Sequence, residues 1–359
     1  MKRETNVSGN YCQITDEGIR HLELYSLNAA NNEKITDKGI KHMNLKYLDA
    51  SNNTKITNHG IKKMKLSSLY ATNNSNITDE GIVSFCLPVK GKLRSRKAKH
   101  MDLQVLDASG TSSITDQGIS KINLKVLIAE FTNKITDNGI KRLNLDQLAV
   151  SYNNEITDEG IKHLNLKVLK ASGHINVTDR GIQHMNLHTL YANNNINISD
   201  QGIQHMKLIK LAASDNTSIT DQGIKNFNLI ELYAANNSHI TDNSIKNMKL
   251  KVLDASDNQK ITDQGISGMD LVILLASGNP KITDQGIKRM NLKKLDASFN
   301  TSITDEGLKY LDLEQLDACY NEKITNYGIE HMNLYLLNAR GNRNITRDGI
   351  KHMYVYKML

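Results

Sequence analysis

Residues 282–302 read Ile282-Thr-Asp-Gln-Gly-Ile-Lys-Arg-Met-Asn-Leu-Lys-Lys-Leu-Asp-Ala-Ser-Phe-Asn-Thr-Ser302, and nearly all of the chain repeats this stretch. Its opening Ile-Thr pair, or a close variant, recurs at residues 14, 35, 56, 77, 114, 135, 156, 177, 198, 219, 240, 261, 282, 303, 324 and 345. Every interval is 21 residues except the one from 77 to 114, which is 37 residues long. A fixed period in this range is typical of a solenoid, in which stacked repeats bury a shared core.

Two hydrophobic periods alternate within each repeat, whose positions we number from the Ile-Thr pair. Positions 11 to 17 alternate between apolar and polar residues, which predicts a short strand with one buried face. Apolar residues at positions 6 and 9 have helical spacing, and the Thr and Asp at positions 2 and 3 are N-cap residue types that place the helix start. Because no repeat can bury its apolar face alone, we expect the strands to stack into a parallel sheet covered by the helices.

Two further positions recur and need a structural reason. Asn occupies position 19 in twelve of fifteen complete repeats, with interruptions at Thr111, Thr132 and His174. An amide can satisfy backbone groups of its own and adjoining coils, so we expect a ladder of buried asparagines. Gly occupies position 5 in fifteen of sixteen copies, although Gly in a helix costs about 0.5–1 kcal/mol relative to Ala. We therefore expect each helix to approach the next coil closely at this position.

The pattern Leu-x-x-Leu-x-Ala-x-x-Asn followed by Ile-Thr-Asp-x-Gly-Ile resembles the leucine-rich repeat, with Ala at a usual Leu position. The Ile-Thr-Asp-x-Gly segment is similar to the cysteine-containing subtype of F-box substrate receptors, although the repeat is shorter and carries Asn where that subtype has cysteine. The Asn-, Lys- and Ile-rich repeats also resemble leucine-rich repeat proteins of giant DNA viruses. The resemblance covers about residues 7–359 and implies an α/β fold, a right-handed leucine-rich-repeat solenoid with a parallel concave sheet and short convex helices.

The repeats predict one domain over residues 1–359, with about 15–16 repeats and a basic insertion within residues 83–101. The basic segment Lys90 to Lys99 is compatible with a nuclear-localisation patch, a phosphate-binding loop, a kinase target at Ser95 or a solvated surface loop. No basic stripe runs along the repeats, which argues against nucleic-acid binding outside this segment. Neither end has a polar cap, so its own tail, a second copy in an end-to-end homo-oligomer or another partner is expected to cover it.

The cysteines and the N-terminus indicate the compartment. Cys12, Cys86 and Cys319 are few, odd in number and unpatterned, which favours a reducing environment and argues against a zinc site. The first 13 residues contain no apolar signal-peptide segment, and no apolar run reaches 18 residues. We therefore expect an intracellular, cytoplasmic protein that does not span a membrane.

Histidine recurs at position 8, and three consecutive repeats carry it as His163, His184 and His205. Imidazoles at the spacing of stacked coils could share a metal ion, but an exposed helix face explains them as well, and no carboxylate second shell is evident. The Asp and His residues lie at repeat positions, and no nucleophile, base and orienting group is clustered outside the repeat pattern. The sequence therefore predicts no enzymatic activity, no metal and no cofactor.

The variable positions of the repeat lie on the predicted concave sheet face. Strand alternation sends positions 14 and 16 inward and leaves 13, 15 and 17 on that face. Position 18 lies at the edge of the face, and its aromatic residues are Phe131, Tyr152, Phe299 and Tyr320. Aromatic residues on an otherwise polar face are typical interface anchors. The candidate partner-binding residues form an apolar cluster that includes one acidic residue, an acidic stretch and three separate tyrosines: Val105, Val126, Ile128, Glu130, Phe131 and Tyr152; Asp254, Asp296 and Asp317; Tyr70, Tyr191 and Tyr233.

These features predict a non-enzymatic scaffold that binds a protein partner, of unspecified identity, on the concave sheet face. The apolar cluster indicates a protein-binding hot spot. The acidic stretch, which also includes Asp257 and is partly offset by Lys251, Lys293 and Lys294, indicates a surface for a basic segment. The alternative is an F-box-like substrate-receptor fragment of a ubiquitin-ligase adaptor that lacks its own F-box, since the residues before the first repeat are too few to form one. A face that varies without any selected partner is the remaining interpretation, because single exposed aromatic residues are common.

Overall fold

The computed structural model describes residues 4–84, 103–351 and 357–358, and the basic segment 90–99 lies outside these ranges. The chain divides into two compact units, an N-terminal unit of residues 1–186 and a C-terminal unit of residues 187–359. Each unit is a stack of coils, and each coil contributes one short strand and, in most cases, one short helix. The single domain expected from the repeats stays a prediction.

The N-terminal unit contains eight strands and eight helices in its described residues, and strands and helices alternate along the chain. Their bounds are β1 Glu4–Asn6, α1 Asp16–Ile19, β2 Ser26–Asn28, α2 Asp37–Ile40, β3 Tyr47–Asp49, α3 Asn58–Ile61, β4 Ser68–Tyr70, α4 Asp79–Val83, β5 Val105–Asp107, α5 Asp116–Ile119, β6 Val126–Ile128, α6 Asp137–Ile140, β7 Gln147–Ala149, α7 Asp158–Ile161, β8 Val168–Lys170 and α8 Asp179–Ile182.

The C-terminal unit continues the alternation in its described residues and ends with two strands in succession. The bounds are β9 Thr189–Tyr191, α9 Asp200–Ile203, β10 Lys210–Ala212, α10 Asp221–Ile224, β11 Glu231–Tyr233, α11 Asp242–Ile245, β12 Val252–Asp254, α12 Asp263–Ile266, β13 Ile273–Leu275, α13 Asp284–Ile287, β14 Lys294–Asp296, α14 Asp305–Leu308, β15 Gln315–Asp317, α15 Asn326–Ile329, β16 Leu336–Asn338 and β17 Lys357–Met358.

The strands of each unit pair in parallel with their sequence neighbours, which confirms the solenoid. Each strand between β2 and β16 has the leucine of position 14 at its centre, as at Leu148, Leu211 and Leu295. Position 14 of one coil pairs with position 14 of the next, for example Leu211 with Leu232. The strands span only positions 13 to 15 and are therefore shorter than the alternation over positions 11 to 17 predicted.

Strands at both ends of the chain extend the sheet beyond the repeats with a complete sequence signature. Strand β1 pairs with β2 through Thr5 opposite Leu27, and Val7 is buried in the place of the position 16 alanine. The repeat pattern was recognisable only from residue 14 onward, because Thr5 stands where the other coils carry the position 14 leucine. At the other end Met358 pairs with Leu337, the position 14 leucine one repeat length before it.

The core consists of the apolar residues at positions 1, 6, 11, 14 and 16, which are nearly all below 2% exposed. Leucines and isoleucines of adjacent coils stack on one another, so each coil buries the open side of its neighbour. Truncating one such leucine to alanine typically costs about 2–5 kcal/mol. The energy of the fold is therefore spread evenly along each unit, and the surface positions are free to vary.

The twelve asparagines at position 19 are all buried, with at most 7% of each exposed. Asn53 illustrates their bonding, since its Nδ2 donates to the carbonyl oxygens of Asn32 at 2.7 Å and Ile35 at 3.1 Å. Its Oδ1 accepts a hydrogen bond from the backbone N–H of Ile56 at 3.2 Å. Each amide thus satisfies backbone groups of its own and the adjoining coil, which confirms the predicted ladder.

The ladder is interrupted in the N-terminal unit, but two of the three sites are filled by a different residue than the sequence indicated. Thr111 and His174 are exposed, and the following residues Ser112 and Ile175 are buried instead. Thr132 is itself buried, and its Oγ1 accepts a backbone N–H from two residues further on at 3.3 Å. A hydroxyl or an alkyl group cannot reproduce the bonds of an amide, so these coils share fewer hydrogen bonds.

Thr and Asp at positions 2 and 3 have roles both within and between coils. The Oγ1 atom of Thr283 accepts a hydrogen bond from the backbone N–H of Gln285 at 3.1 Å and so caps α13, as predicted. The same hydroxyl donates to Oδ2 of Asp263 in the preceding coil at 2.6 Å, and the Thr283 backbone N–H donates to Oδ1 at 2.8 Å. The aspartate therefore joins successive coils, a role that the sequence pattern did not reveal.

The glycine at position 5 lies against this carboxylate. A Cβ atom placed on Gly286 would lie 2.2 Å from Oδ1 of Asp263, far inside van der Waals contact. The same clash with the preceding aspartate occurs at Gly39, Gly160 and Gly328, among others. The close approach predicted from the recurrence of Gly is confirmed, and the aspartate of the preceding coil is its cause.

Candidate functional site

Positions 13 and 15 of the strands form the outward sheet face, and most of their side chains are half-buried. In the N-terminal unit the register places Val105 beside Val126 and Asp107 beside Ile128. Val126 and Ile128 are alternate residues of β6 and therefore share its outward face, with Ala149 beside Ile128 on the next strand. Three members of the predicted apolar cluster thus lie together on two adjacent strands.

The two aromatic members of the cluster, Phe131 and Tyr152, lie at position 18 of successive coils and stack on each other. Their ring centroids are 4.7 Å apart, and the ring planes differ by 13°. Phe131 is 62% exposed and Tyr152 is 50% exposed. The pair therefore presents exposed aromatic area just beyond the ends of the strands.

The backbone at position 18 is left-handed, with φ of 54° at Phe131 and 58° at Tyr152. Most other coils place Asn, Asp or Gly at this position, which are the residue types that tolerate positive φ. A bulky residue in this conformation costs roughly 1–2 kcal/mol. Strain of this kind concentrates at functional sites. This strain was not predicted from the sequence, although the recurrence of Asn, Asp and Gly at position 18 was a signal for it.

Glu130 precedes Phe131 at position 17 and is half-buried. Its backbone is fixed by the preceding coil, because its N–H donates to Oγ of Ser109 at 3.1 Å and its carbonyl oxygen accepts from Gly110 at 2.9 Å. Among the residues that the structure describes, nothing forms a hydrogen bond or an ion pair with its carboxylate. Glu130 therefore offers an unpaired negative charge next to the aromatic stack.

Tyr70, at position 15 of β4, packs on Tyr47 of the neighbouring strand. Their ring centroids are 5.3 Å apart, and the planes are tilted by 43°. Burial, followed by the nearby Asp107 carboxylate, raises the pKa of Tyr70 above its ordinary value. Tyr70 thus belongs to a half-buried pair within the sheet face and is separate from the exposed stack at position 18.

In the C-terminal unit, Tyr191 and Tyr233 flank the ammonium group of Lys210. Its Nζ lies 5.3 Å and 5.2 Å from their ring centroids and forms an ion pair of 2.6 Å with Glu231. Burial favours a lower pKa for Lys210, but the hydrogen bonds to Glu231 and Tyr191 outweigh it and raise that pKa above its ordinary value. These two tyrosines therefore serve a cation–π and ion-pair network within the sheet face.

The acidic candidates Asp254, Asp296 and Asp317 occupy position 15 of β12, β14 and β15. Asp296 and Asp317 are direct neighbours in register, whereas Leu275 on β13 separates Asp254 from Asp296. Burial raises the pKa of Asp254 and of Asp296, and in Asp296 the hydrogen bonds from Ser298 oppose that rise. The three carboxylates give this part of the sheet face an acidic character, which Lys294 at position 13 of β14 partly offsets.

The C-terminal unit carries a second aromatic stack at position 18. The rings of Phe299 and Tyr320 have centroids 4.9 Å apart and planes 22° apart, and φ is 53° and 51° at the two residues. They are 57% and 51% exposed. Phe299 and Tyr320 lie at the edge of the predicted face and were not among the candidate residues, because their shared strained backbone is a property of the structure.

The position 8 histidines lie on the helix side of the coils. Nε2 of His184 lies 3.2 Å from the carbonyl oxygen of Leu164, and Nε2 of His331 lies 3.0 Å from that of Leu311. Each imidazole thus meets a carbonyl group of the preceding coil. Within the described ranges, no group of three or more His, Cys, Asp or Glu side chains is placed to hold a metal ion. No helix in the part of the chain that the structure describes is long and apolar enough to cross a membrane.

Comparison with known families identifies the repeats. The family model described as Leucine Rich repeat matches residues 144–164, 246–269 and 288–311. A search of curated protein sequences finds no match. The matched segments contain strand, turn and helix positions of the 21-residue repeat, so the chain contains leucine-rich repeats in these three segments.

Solved structures support the same fold. A chain in the crystal structure of the Rad7 and Elc1 complex in yeast is similar, with a TM-score of 0.58 and 17% identity over 86% of this chain and 85% of that chain. The crystal structure of the TLR13–ssRNA13 complex is similar with a TM-score of 0.52 and 18% identity, over 93% of this chain and 52% of that chain. This chain therefore spans about half the length of the latter, and at these identities the likeness concerns the fold alone.

Proposed function

We propose that this chain, which contains leucine-rich repeats, is a non-enzymatic scaffold that binds a protein partner on its sheet face. The anchor of that interface is the Phe131–Tyr152 stack together with Ile128. The observation that carries the proposal is the exposure of two bulky aromatic side chains on backbone with positive φ. A structurally similar chain occurs in the complex of Rad7 and Elc1, which supports an interaction role.

The energetics favour a binding role for the stack over a structural one. Left-handed backbone at two bulky residues costs roughly 2–4 kcal/mol in total, whereas an aromatic pair contributes about 0.5–1.5 kcal/mol. Apart from the apolar area that the two half-exposed rings already bury, the stack therefore does not compensate for its own strain. Each large side chain that becomes desolvated at an interface contributes about 1.5–3 kcal/mol, which is enough to offset it. Asn or Gly at the same position, as in most other coils, is the choice expected without a partner.

The remaining candidates have supporting roles in this proposal. Val105 and Val126 extend the apolar surface, and the unpaired Glu130 carboxylate fixes the orientation of the partner. Tyr70, Tyr191 and Tyr233, which pack within the sheet face, keep that face rigid. The acidic residues of the C-terminal unit provide a second contact region for a basic segment of the partner: Asp254, Asp296 and Asp317. The repeat subtype and the intracellular location remain predictions from the sequence.

Interaction mass spectrometry with matched variants tests the proposal. The double variant Ile128→Asp with Phe131→Ser introduces at position 15 a residue that other repeats carry there, and at position 18 a small polar residue in place of an exposed ring, so the fold should be retained. We expect the affinity for the captured partner to fall at least tenfold. The control His184→Ala, on the helix side, should leave capture unchanged.

If the double variant still captured the partner and His184→Ala did not, binding would be assigned to the helix side and the proposal would be contradicted. Co-purification of ubiquitin-ligase subunits would favour the adaptor alternative instead. If wild type and the double variant captured the same proteins to the same extent, Ile128 and Phe131 would not be the anchor of the interface.

A further inference from the structure

Each compact unit contains the same four-coil sequence at position 18, namely Gly, Phe, Tyr and Gly. In the N-terminal unit these residues are Gly110, Phe131, Tyr152 and Gly173, and in the C-terminal unit they are Gly278, Phe299, Tyr320 and Gly341. All eight have positive φ. We call these the first and second aromatic segments. The arrangement of glycines around each stack follows from how side chains at position 18 are directed.

Side chains at position 18 lean over the next coil. A Cβ atom on Gly341 would lie 2.4 Å from Cε1 of Tyr320, and one on Gly173 would lie 2.7 Å from Cδ1 of Tyr152. Likewise, a Cβ atom on Gly278 would lie 2.2 Å from Oδ1 of Asp257 in the coil before it. The last glycine of each segment therefore makes room for the tyrosine ring.

The first glycine of each segment leaves a gap. Gly278 has no side chain to lean over the coil of Phe299, so nothing at position 18 covers that coil on the side facing Asp257. The carboxylate of Asp257 and the ring of Phe299 consequently bound an open slot about two coil spacings wide, roughly 9–10 Å. A planar group that stands edge-on, with a hydrogen bond of about 2.8 Å to the carboxylate and a van der Waals contact of about 3.5–4 Å to the ring, would fit inside it.

The second slot carries negative charge that has no internal partner. Asp257 is exposed, and its carboxylate forms no hydrogen bond or ion pair with any residue in the described ranges. It lies close enough to Asp254 for its charge to raise the pKa of that carboxyl, after the larger effect of burial. A cation between Asp257 and Phe299 would relieve this repulsion.

The corresponding group in the first segment is neutral and already bonded. Asn73 leans over Gly110, with Oδ1 2.1 Å from the place of a Cβ atom. That oxygen accepts a hydrogen bond from the backbone N–H of Thr111 at 3.0 Å, and Nδ2 of Asn73 donates to Asn52 at 3.0 Å. The first slot therefore has the same shape but offers no charge to a ligand.

We propose that the slot between Asp257 and Phe299 binds the guanidinium group of an arginine from a basic segment of the partner protein. This inference rests on the proposed scaffold function and assigns chemistry to its acidic region. One edge of the guanidinium donates its N–H groups to the Asp257 carboxylate, and the opposite edge lies against the face of the Phe299 ring. The acidic sheet face holds neighbouring basic residues of the segment.

Arginine fits this slot better than lysine or a nucleobase. A guanidinium is flat, stacks on aromatic rings and presents paired donors to a carboxylate, whereas an ammonium is a compact, strongly hydrated charge. A nucleobase is also flat, but the phosphates of its strand would be repelled by the carboxylates along this face. The ligand class is thus a protein segment with an exposed arginine.

Fluorescence anisotropy with short labelled peptides tests the inference on the full chain. The probes are Gly-Arg-Gly-Arg-Gly-Arg-Gly and its lysine counterpart, which carry equal charge. We expect the arginine peptide to bind wild type at least fivefold more tightly than the lysine peptide. Gly278→Asn should remove that difference, because Asn tolerates positive φ and its side chain would fill the slot. Asn236 next to Asp215 already shows such a pair, with a hydrogen bond of 2.6 Å.

Asp257→Asn tests the same slot without adding bulk, and it should lower arginine-peptide affinity at least fivefold even if Gly278→Asn folds poorly. Gly110→Asn is the matched control in the first segment and should change nothing. Equal binding of the two peptides, no binding of either, or equal losses with Gly110→Asn and Gly278→Asn would each overturn the inference. Tighter binding of a labelled heptauridylate that Gly278→Asn abolishes would assign the slot to a base instead.

The outcomes separate this inference from the proposed function. Ile128→Asp with Phe131→Ser should leave peptide binding unchanged, since the first segment does not form the arginine slot. If that variant loses the captured partner while wild type fails to bind the arginine peptide, the scaffold proposal stands and the slot assignment is wrong.

Discussion

The two aromatic segments, residues 110–173 and 278–341, place the same residue types on the same strained backbone but differ in the chemistry around them. Position 15 carries Ile128 in the first segment and Asp296 at the equivalent place in the second. The group that precedes the first glycine is the bonded amide of Asn73 in one case and the unpaired carboxylate of Asp257 in the other. A repeat fold can therefore keep the same left-handed backbone and aromatic stack in two places, and the residues at neighbouring positions can give each place a different binding specificity.

The segments also differ in what lies beneath the stacks. The second has asparagine at every position 19 site, including Asn300, whereas the first has Thr132 at the equivalent site. Nδ2 of Asn300 donates to the carbonyl oxygens of Asn279 at 2.7 Å and Ile282 at 3.2 Å. The single bond accepted by the Thr132 hydroxyl, at 3.3 Å, is weaker support for its coil.

The largest expected effect follows from this difference. Asn300→Ala should lower the free energy of unfolding by about 2–3 kcal/mol, because several buried backbone groups lose their partner. Thr132→Ala should cost about 0.5–1 kcal/mol, since only one neutral hydrogen bond is lost. Urea denaturation of the full chain, monitored by circular dichroism, measures both values.

Thr301→Ala, at the exposed residue next to Asn300, is the control and should be nearly neutral. Equal losses for Asn300→Ala and Thr132→Ala would mean that the amide bonds do not distinguish the two segments and would remove the ladder from the account of stability.

The fold was predictable from the sequence wherever one residue type serves one position in every coil. The leucine at position 14, such as Leu295, lies at a strand centre, and the threonine at position 2, such as Thr283, precedes a helix. The repeat period alone therefore predicts where the strands and helices lie. The role of Asp263 was not predictable, because its partner Thr283 lies 20 residues away in the next coil. The initial strand β1 was missed because Thr5 lacks the leucine signature.

The candidate site was predictable only in part. Aromatic residues on a polar face identified Phe131 and Tyr152, and the structure stacks them. The equivalence of the two stacks rests on the positive φ at position 18, for which the recurrence of Asn, Asp and Gly in the other coils was an indirect signal. Tyr191 and Tyr233 looked like free anchors, whereas they contact Lys210. Contacts between coils decide such cases, and a pattern within one repeat does not contain them.

An intermediate effect is expected from relieving the strain in each stack. Phe299→Asn and Phe131→Asn should leave the free energy of unfolding unchanged or raise it by up to about 1 kcal/mol. Each change loses an aromatic contact of about 0.5–1.5 kcal/mol but removes left-handed strain of roughly 1–2 kcal/mol. Thermal unfolding of the purified variants measures the change.

The reverse substitution Asn236→Phe, at φ of 51°, should cost about 1–2 kcal/mol. A loss above about 1.5 kcal/mol at either Phe299 or Phe131 would instead show that the stack stabilises the fold, and the two segments would then owe their aromatic residues to packing.

The smallest effect concerns Asp296, whose counterpart in the first segment is Ile128. Burial raises the pKa of Asp296 above its ordinary value, against the hydrogen bonds from Ser298 and with added repulsion from Asp317 and Asp254. Between the unfolded and folded pKa values the folded state therefore binds more protons, so the contribution of Asp296 to stability falls as pH rises through that window. Asp296→Asn removes the charge, and its amide oxygen can still accept the bond that Ser298 N–H donates at 2.9 Å. We expect the Tm at pH 7 to rise by about 1–2 °C and the gain to disappear near pH 3, where the carboxyl is protonated in both states. The Ile128→Asn variant is the control: it changes no charge, so its Tm difference from wild type should not depend on pH.

A Tm gain for Asp296→Asn that stays constant between pH 3 and pH 7, or a Tm loss at pH 7, would contradict the prediction. Either result would show that the charge of Asp296 does not cause a difference in stability between the second segment and the first.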